Sequence, residues 1–362
     1  MTPGPTPSSN IELQIKGAGR TPYSRTADGL AVTRSSIREY LAAETMAALG
    51  IPTTRSLSMI ALPTLPVERE TLESAAIVTR VAESFIRVGS FQALSPPQDY
   101  GWGTQKPDYE ALRQLGEFVS KTVLKLNIND GDKWARELVL ESSRRNARML
   151  AAWQVYGFMH GVMNTDNISI MGLTLDYGPY AFMDTYDPLH ICNHTDEGGR
   201  YSYRNQPSIM YVAFLFLVLP HTDSVTSVHA MLSLRDALSP IIGAEEEQGA
   251  AVTEGWVPSV PDAPAASEGL SAATREGLES QRAYLVEQRK EQINVWKKAA
   301  MDMTESEVRE VVQEEMSIEY GKLMAKVRFS SHSSRSSFDS SRSDWGCRRL
   351  QMLQSLQQTF WT

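Results

Sequence analysis

The chain has 362 residues, 42% of them hydrophobic and 22% charged, enough to bury one large core or two lobes around a cleft. Its formal net charge is −8, and no Lys/Arg block has the density of a nucleic-acid footprint, so DNA and RNA are not expected partners. Two cysteines, Cys192 and Cys347, are too few for a disulfide framework and lack the paired spacing of a zinc site, which points to a reducing compartment.

Residues 1–10 are rich in Pro, Thr and Ser, read as a disordered start, and have neither the layout of a secretion signal nor that of a transit peptide. From there Ile11, Leu13 and Ile15 alternate with Glu12, Gln14 and Lys16, the period of a half-buried strand with Lys16 on its polar side. A Gly-rich turn leads to Arg34-Ser-Ser-Ile-Arg-Glu39, which opens a helix with Ile37, Tyr40, Leu41, Ala48 and Leu49 on one face, stopped by Gly50 and Pro52. Strand-like runs at 56–61 and 75–80 complete a small β-rich unit over residues 11–92.

The pattern then turns helical. Residues 108–126 and 142–163 carry apolar residues at helical spacing, and a larger helical unit is expected over 93–240. Its second helix runs into His160-Gly-Val-Met-Asn-Thr-Asp-Asn167, a short strand pair follows at 168–175, and Asp176-Tyr-Gly178 closes it. Beyond Pro207 the longest apolar run, Ile209 to Leu219, is about half the roughly 20 residues that a membrane-spanning helix needs. Residues 241–272 read as a linker or loop, 273–328 as a charged helical extension and 329–362 as a Ser/Arg-rich low-complexity tail.

A kinase-like phosphate site needs a strand lysine, a helix glutamate to hold it, and Asn and Asp ligands for magnesium. Lys16, Glu39, Asn167 and Asp176 occur in that order. Laying the pattern His-x-Asp-x-x-x-x-Asn on residues 160–167 puts Val162 where a kinase has its catalytic Asp, and valine accepts no proton. Asp166, next to Asn167, is the candidate for a replacement base.

These residues, with Glu12-Leu-Gln-Ile-Lys-Gly-Ala-Gly-Arg-Thr-Pro-Tyr-Ser-Arg25, Gly50-Ile-Pro-Thr-Thr54 and Cys192-Asn-His-Thr-Asp-Glu-Gly-Gly-Arg-Tyr201, closely resemble the selenoprotein O family of kinase-like protein adenylyltransferases over about residues 11–207. The resemblance implies an α+β, protein-kinase-like two-lobed fold, with a small β-rich N-lobe carrying one key helix and a larger helical C-lobe. It implies ATP bound in the reverse sense, with AMP transferred to a Ser, Thr or Tyr hydroxyl of a protein and pyrophosphate released. By motif, Lys16 contacts phosphates and pairs with Glu39, Asp28 and Gly29 border the nucleotide, Arg80 and Arg87 neutralise phosphate charge, Asp166 takes the proton, and Asn167 and Asp176 ligate Mg2+. The resemblance places eukaryotic members in mitochondria and bacterial ones in the cytoplasm, so it implies a mitochondrial location for a eukaryotic chain.

Against the family pattern, the chain is expected to lack the glycine-rich segment before the lysine strand and the C-terminal region with its redox-active Cys or selenocysteine. The pattern departs after Pro207 and returns near Leu234-Arg-Asp-Ala-Leu-Ser-Pro240. Two other functions stay open, a conventional phosphotransferase and a catalytically silent nucleotide-binding or interaction protein. Several residues have plainer readings too. Glu39 has capping-box spacing from Ser36, Arg80 and Arg87 could be surface arginines, and His190, Cys192 and His194 read as structural rather than metal-binding. His160 reads as a brace for the loop.

Overall fold

In the computed structural model the described residues are 2–3, 10–21, 24, 26–96, 106–211, 230–260 and 272–333. Strand β1 (Thr2–Pro3) pairs with β2 (Asn10–Lys16), so part of the start expected to be disordered is in register with the first long strand. A short β3 (Ala31–Val32) leads directly into helix α1 (Thr33–Ala48), and β4 (Arg55–Glu68) and β5 (Leu72–Ala82) form a long hairpin. All pairs are antiparallel, and β5 is central, with β4 on one edge and both β2 and β3 on the other.

The alternation of β2 is real, but its sense is reversed. Leu13 and Ile15 are 52% and 58% exposed. Glu12, Gln14 and Lys16 face inward, where Gln14 lies opposite Arg80 in the β2–β5 register and Ser56 of β4 lies opposite it on the other side. Helix α1 is reversed in the same way. Its expected apolar face leaves Ile37, Leu41 and Leu49 exposed, and the buried face is Ser36, Glu39, Ala42, Ala43 and Met46. One cause explains both: on the sheet face under α1, Lys16 and Arg80 pair with Glu39 and Arg80 with Gln14, so the polar sides of strand and helix meet. The stop at Gly50 is as expected. Gly50 has φ +75°, its N–H donates to Ala47, and the Ile51 N–H reaches back to Met46, a Schellman closure with Ile51 and Met46 both buried.

After the single turn α2 (Val88–Gln92), the chain builds the helical layer from α3 (Tyr109–Phe118), α4 (Ala135–Tyr156), α5 (Gln206–Tyr211), α6 (Ala230–Gln248) and α7 (Ala272–Ser333). Asp108 caps α3 by accepting from the Ala111 N–H at 2.9 Å, and α3 runs on as a π-turn over Val119–Val123. Helix α4 starts earlier than its periodicity suggests and ends at Gly157, whose φ of +70° closes it before the loop. The strand pair expected at 168–175 is absent among the described residues. Instead β6 (Phe158–Met159) pairs with β7 (Ala181–Phe182), and Ser169 and Thr174 make single bridges to Arg87 and Thr53.

The expected linker is also corrected, since α6 continues through residues 241–248. Leu234, Leu238, Ile241, Ile242 and Ala244 are buried in the main core, which holds the chain helical despite Pro240. Nor is the next helical segment an appendage. Ile293, Trp296, Ala300, Val308 and Val312 of α7 enter the same core, and Arg136 and Arg148 of α4 pair with Glu307 and Glu315. The expected tail overlaps α7 as far as Ser333; residues 334–362, Cys347 and most of the apolar run, 212–219, lie outside the described residues. No described helix is long and apolar enough to cross a membrane.

Two backbone seams join sheet and helices. In one, the Val88 N–H donates to Ile168 at 3.0 Å and the Ile170 N–H to Ile86 at 3.2 Å. In the other, the Thr54 N–H donates to Thr174 at 3.0 Å and the Thr174 N–H to Pro52 at 2.9 Å. Along the chain Asp166 and Asn167 come just before the first seam and Asp176 just after the second.

Candidate active site

Lys16 on β2 donates to Glu39 on α1 at 2.6 Å, and Arg80 on β5 bonds the other oxygen of the same carboxylate. Both plainer readings fail at this point. Helix α1 begins at Thr33, so Ser36 is not its cap, and Glu39 and Arg80 are both buried. Arg80 continues inward, with Nη1 2.6 Å from Asp176 Oδ1 and 2.8 Å from Gln14 Oε1. Arg87 completes the chain of charges, its Nη1 lying 2.5 Å from Asp176 Oδ2 and 2.6 Å from the carbonyl of Asp166.

Burial pushes the Asp176 carboxyl up, but Arg80, Arg87 and Lys16 together outweigh it and hold the group at about 2, fully ionised at neutral pH. Asp176 is also a non-glycine residue with φ +58°, a left-handed backbone that L side chains avoid and that the surroundings must impose. Those surroundings are on both sides. The Leu175 carbonyl is 2.8 Å from His160 Nε2, and Tyr177 is buried with its hydroxyl bonded to Thr53 Oγ1.

His160 acts as the brace expected of it. Burial lowers its pKa, its ring stacks on Trp153 at 5.5 Å, and Nδ1 faces the Val162 N–H at 3.4 Å. A neutral ring with the proton on Nε2 satisfies both contacts. Trp153 is held in turn by its Nε1–H, which donates to Thr174 Oγ1 at 2.9 Å.

Asp166 and Asn167 sit on a 3-10 turn over Thr165–Asn167. Asn167 Nδ2 donates to the Val162 carbonyl at 3.0 Å, and its Oδ1 is an acceptor of the type that a cation takes. An amide oxygen and a carboxylate are an oxygen-only donor pair, which fits Mg2+. Asp166 is exposed, with its carboxylate against Gly89: a Cβ built at Gly89 would come 2.3 Å from Asp166 Oδ1.

Asp28 and Gly29 are not drawn into this network. Gly29, at φ +74°, closes a loop against Gly19, whose N–H donates to the Gly29 carbonyl at 3.1 Å. Asp28 pairs with Arg69 at 2.8 Å and accepts from the Leu30 N–H at 2.9 Å, which holds its carboxyl at about 2, chiefly through the Arg69 bond. Cys192 packs its thiol towards the Met159 carbonyl, 3.7 Å away, and burial pushes that thiol up to about 11; Asn193 donates to the Gly161 carbonyl at 3.0 Å. That segment therefore buttresses the 160–167 loop.

Two site residues were not legible as such in the sequence. Gln14 had a signal, since it lies two residues from Lys16 on the same strand face. Gly89 had none, because its importance comes from a carboxylate 77 positions away.

A family model described as protein adenylyltransferase SelO matches residues 6–233. The chain is 49% identical over 237 residues to a protein nucleotidyltransferase YdiU of Cupriavidus pinatubonensis, covering 63% of this chain and 44% of that protein. It is 52% identical over 198 residues to the YdiU protein of Dechloromonas aromatica, covering 55% and 38%. With the YdiU protein of Ralstonia nicotianae the match is 46% over 245 residues, covering 67% and 45%. The chain thus spans less than half the length of these curated relatives. They are bacterial proteins, which overturns the mitochondrial location implied for a eukaryotic chain. On the match over residues 6–233, the chain belongs to the SelO family.

Proposed function

We propose that this chain is an ATP- and Mg2+-dependent protein adenylyltransferase with a kinase-like arrangement of sheet and helical lobes. The observation that carries the reading is the charge network in which Lys16, Arg80 and Arg87 surround Asp176 while Arg87 also holds the Asp166 carbonyl. Three cations against the carboxylates of Glu39 and Asp176 leave positive charge for a triphosphate, and they stand at the junction of the two layers. The names of the relatives, protein nucleotidyltransferases, support the same reading.

In this reading Lys16, Arg80 and Arg87 bind the phosphates, and Asn167 and Asp176 hold Mg2+, which when bound neutralises phosphate charge at the reacting centre. The hydroxyl oxygen of a protein Ser, Thr or Tyr attacks the α-phosphorus, the bond from that phosphorus to the β-phosphate oxygen breaks, and pyrophosphate leaves. Asp166 accepts the hydroxyl proton. It is suited to this by exposure and by its place beside Asn167, and Val162 offers no competing base. Asp28 and Gly29 border the nucleotide through the loop they close rather than through the charge network.

The products test the reading. Incubation with ATP, Mg2+ and an acceptor protein is expected to yield pyrophosphate and an acceptor heavier by one AMP. ADP and an acceptor heavier by one phosphate would establish the phosphotransferase instead, and an unmodified acceptor with ATP intact would establish the silent protein.

A further inference from the structure

Asp176 is the proposed metal ligand, yet both of its oxygens are engaged by guanidinium groups, Oδ1 by Arg80 at 2.6 Å and Oδ2 by Arg87 at 2.5 Å. A divalent cation at that carboxylate would stand against two fixed positive charges in a buried setting, where charge interactions are poorly screened. A polyphosphate offers the planar guanidiniums a multivalent acceptor of the kind that they bind bidentately.

We infer that Arg87 bars the metal position to a lone divalent cation and that the triphosphate unbars it by drawing Arg87 off Asp176, so that nucleotide precedes metal. The inference rests on the ATP-dependent reading above and adds an order of binding to it. Arg87 rather than Arg80 is the group that moves. The Arg80 side chain is 4% exposed and also neutralises the buried Glu39, so its withdrawal would strand a carboxylate out of water. The Arg87 side chain is 20% exposed and has Asp176 as its carboxylate partner, with Gln14 Oε1 at 3.4 Å as a weaker contact. Two of the three partners of Arg87, Asp176 and Asp166, belong to the proposed site. Since its Nη1 also holds the Asp166 carbonyl at 2.6 Å, its release frees the turn carrying the proposed base at the moment the phosphates arrive. Arg87 is thereby a positioning residue for Asp166 as well as a gate for the metal.

The test uses the whole chain and Mn2+ as the probe, with free Mn2+ read by electron paramagnetic resonance and no nucleotide present. Wild type is expected to bind Mn2+ weakly. Arg87→Met is expected to tighten binding roughly tenfold, the size of effect that one neighbouring charge has on a carboxylate's affinity for a cation, and adding Asp176→Asn to it removes the gain. Arg87→Lys keeps the charge without the fork and is expected to fall between, and it carries the same test if Arg87→Met does not fold. A fluorescent ATP analogue in the presence of a chelator is expected to bind wild type and to bind Arg87→Met less tightly.

Wild type that binds Mn2+ as tightly as Arg87→Met overturns the inference, as does a gain that survives Asp176→Asn. An analogue that binds no variant overturns both the order of binding and the function. An analogue that binds while the α-phosphate never reaches protein overturns the transfer reading alone, and the Mn2+ result still decides this one.

Discussion

Glu39 on α1 and Asp176 at the end of the helical layer's loop are bridged by one buried guanidinium, that of Arg80, which bonds a carboxylate oxygen of each. The bridge links sheet, helix and loop through a single side chain, and with it Lys16 and Arg87 are fixed at either end.

Removing that guanidinium leaves the buried Glu39 carboxylate and the partly buried Asp176 carboxylate without their shared cation. Arg80→Met is expected to lower stability by about 3–5 kcal/mol, the loss typical of breaking a buried ion pair, measured by urea denaturation. Adding Glu39→Gln should recover part of that loss, because it removes one of the stranded charges. A single variant within about 0.5 kcal/mol of wild type would contradict the bridge.

Gly89 is needed for the room it leaves. Gly89→Ala would put a Cβ 2.3 Å from Asp166 Oδ1, so the carboxylate must move. The expected result is a fall in kcat of about a hundredfold, the scale of an ångström-level misplacement, with the KM for ATP little changed. A matching rise in KM with kcat intact would place Gly89 in nucleotide binding instead.

Much of this site could be read before any coordinates. Lys16, Glu39, Asn167 and Asp176 announce themselves by order along the chain, and Val162 in the base position points to Asp166. Apolar periodicity puts the faces of β2 and α1 the wrong way round, because it assumes that the hydrophobic stripe is the buried one. Here the buried surface is the charge network, and Leu13, Ile15, Ile37 and Leu41 are left outside. The end of α6 was missed for a different reason. Glu245, Glu246 and Glu247 read as a solvated loop, and only the tertiary contacts show that Glu245 turns inward to α4.

That inward turn makes a prediction about pH. Glu245 is buried and accepts from the Trp134 and Ala135 N–H groups at 3.2 and 3.0 Å, at the start of α4. Burial pushes its carboxyl from 4.5 up to about 7, against the pull of those two donors. A pKa raised on folding contributes stability below the unfolded value that is lost as pH rises through the folded one, here between about 4.5 and 7. Glu245→Gln removes this loss, so its stability relative to wild type should rise across that window, by about 3 kcal/mol at most. A difference that stays flat with pH would contradict the buried position. Asp176 works in the opposite sense. Held at about 2 against 3.8, it contributes above pH 4 and loses that contribution as pH falls towards 2.

The second seam is fastened by the hydroxyl of Tyr177 on Thr53. Tyr177→Phe keeps the ring packed against Phe158 and Tyr180 and deletes only what its hydroxyl bonds, Thr53 and Thr174, so a loss of about 1 kcal/mol is expected by urea denaturation. A loss of the size seen when a whole aromatic side chain is cut away, about 3–5 kcal/mol, would mean that the ring itself had been displaced.

In the proposed reaction AMP, and not phosphate, passes from ATP to protein. The direct measurement gives the protein ATP labelled at the α- or the γ-phosphate, with Mg2+ and an acceptor, alongside Asp166→Ala and Asp176→Ala. AMP transfer puts label on protein from the α position only, lost in both variants. Label arriving from the γ position only would contradict it.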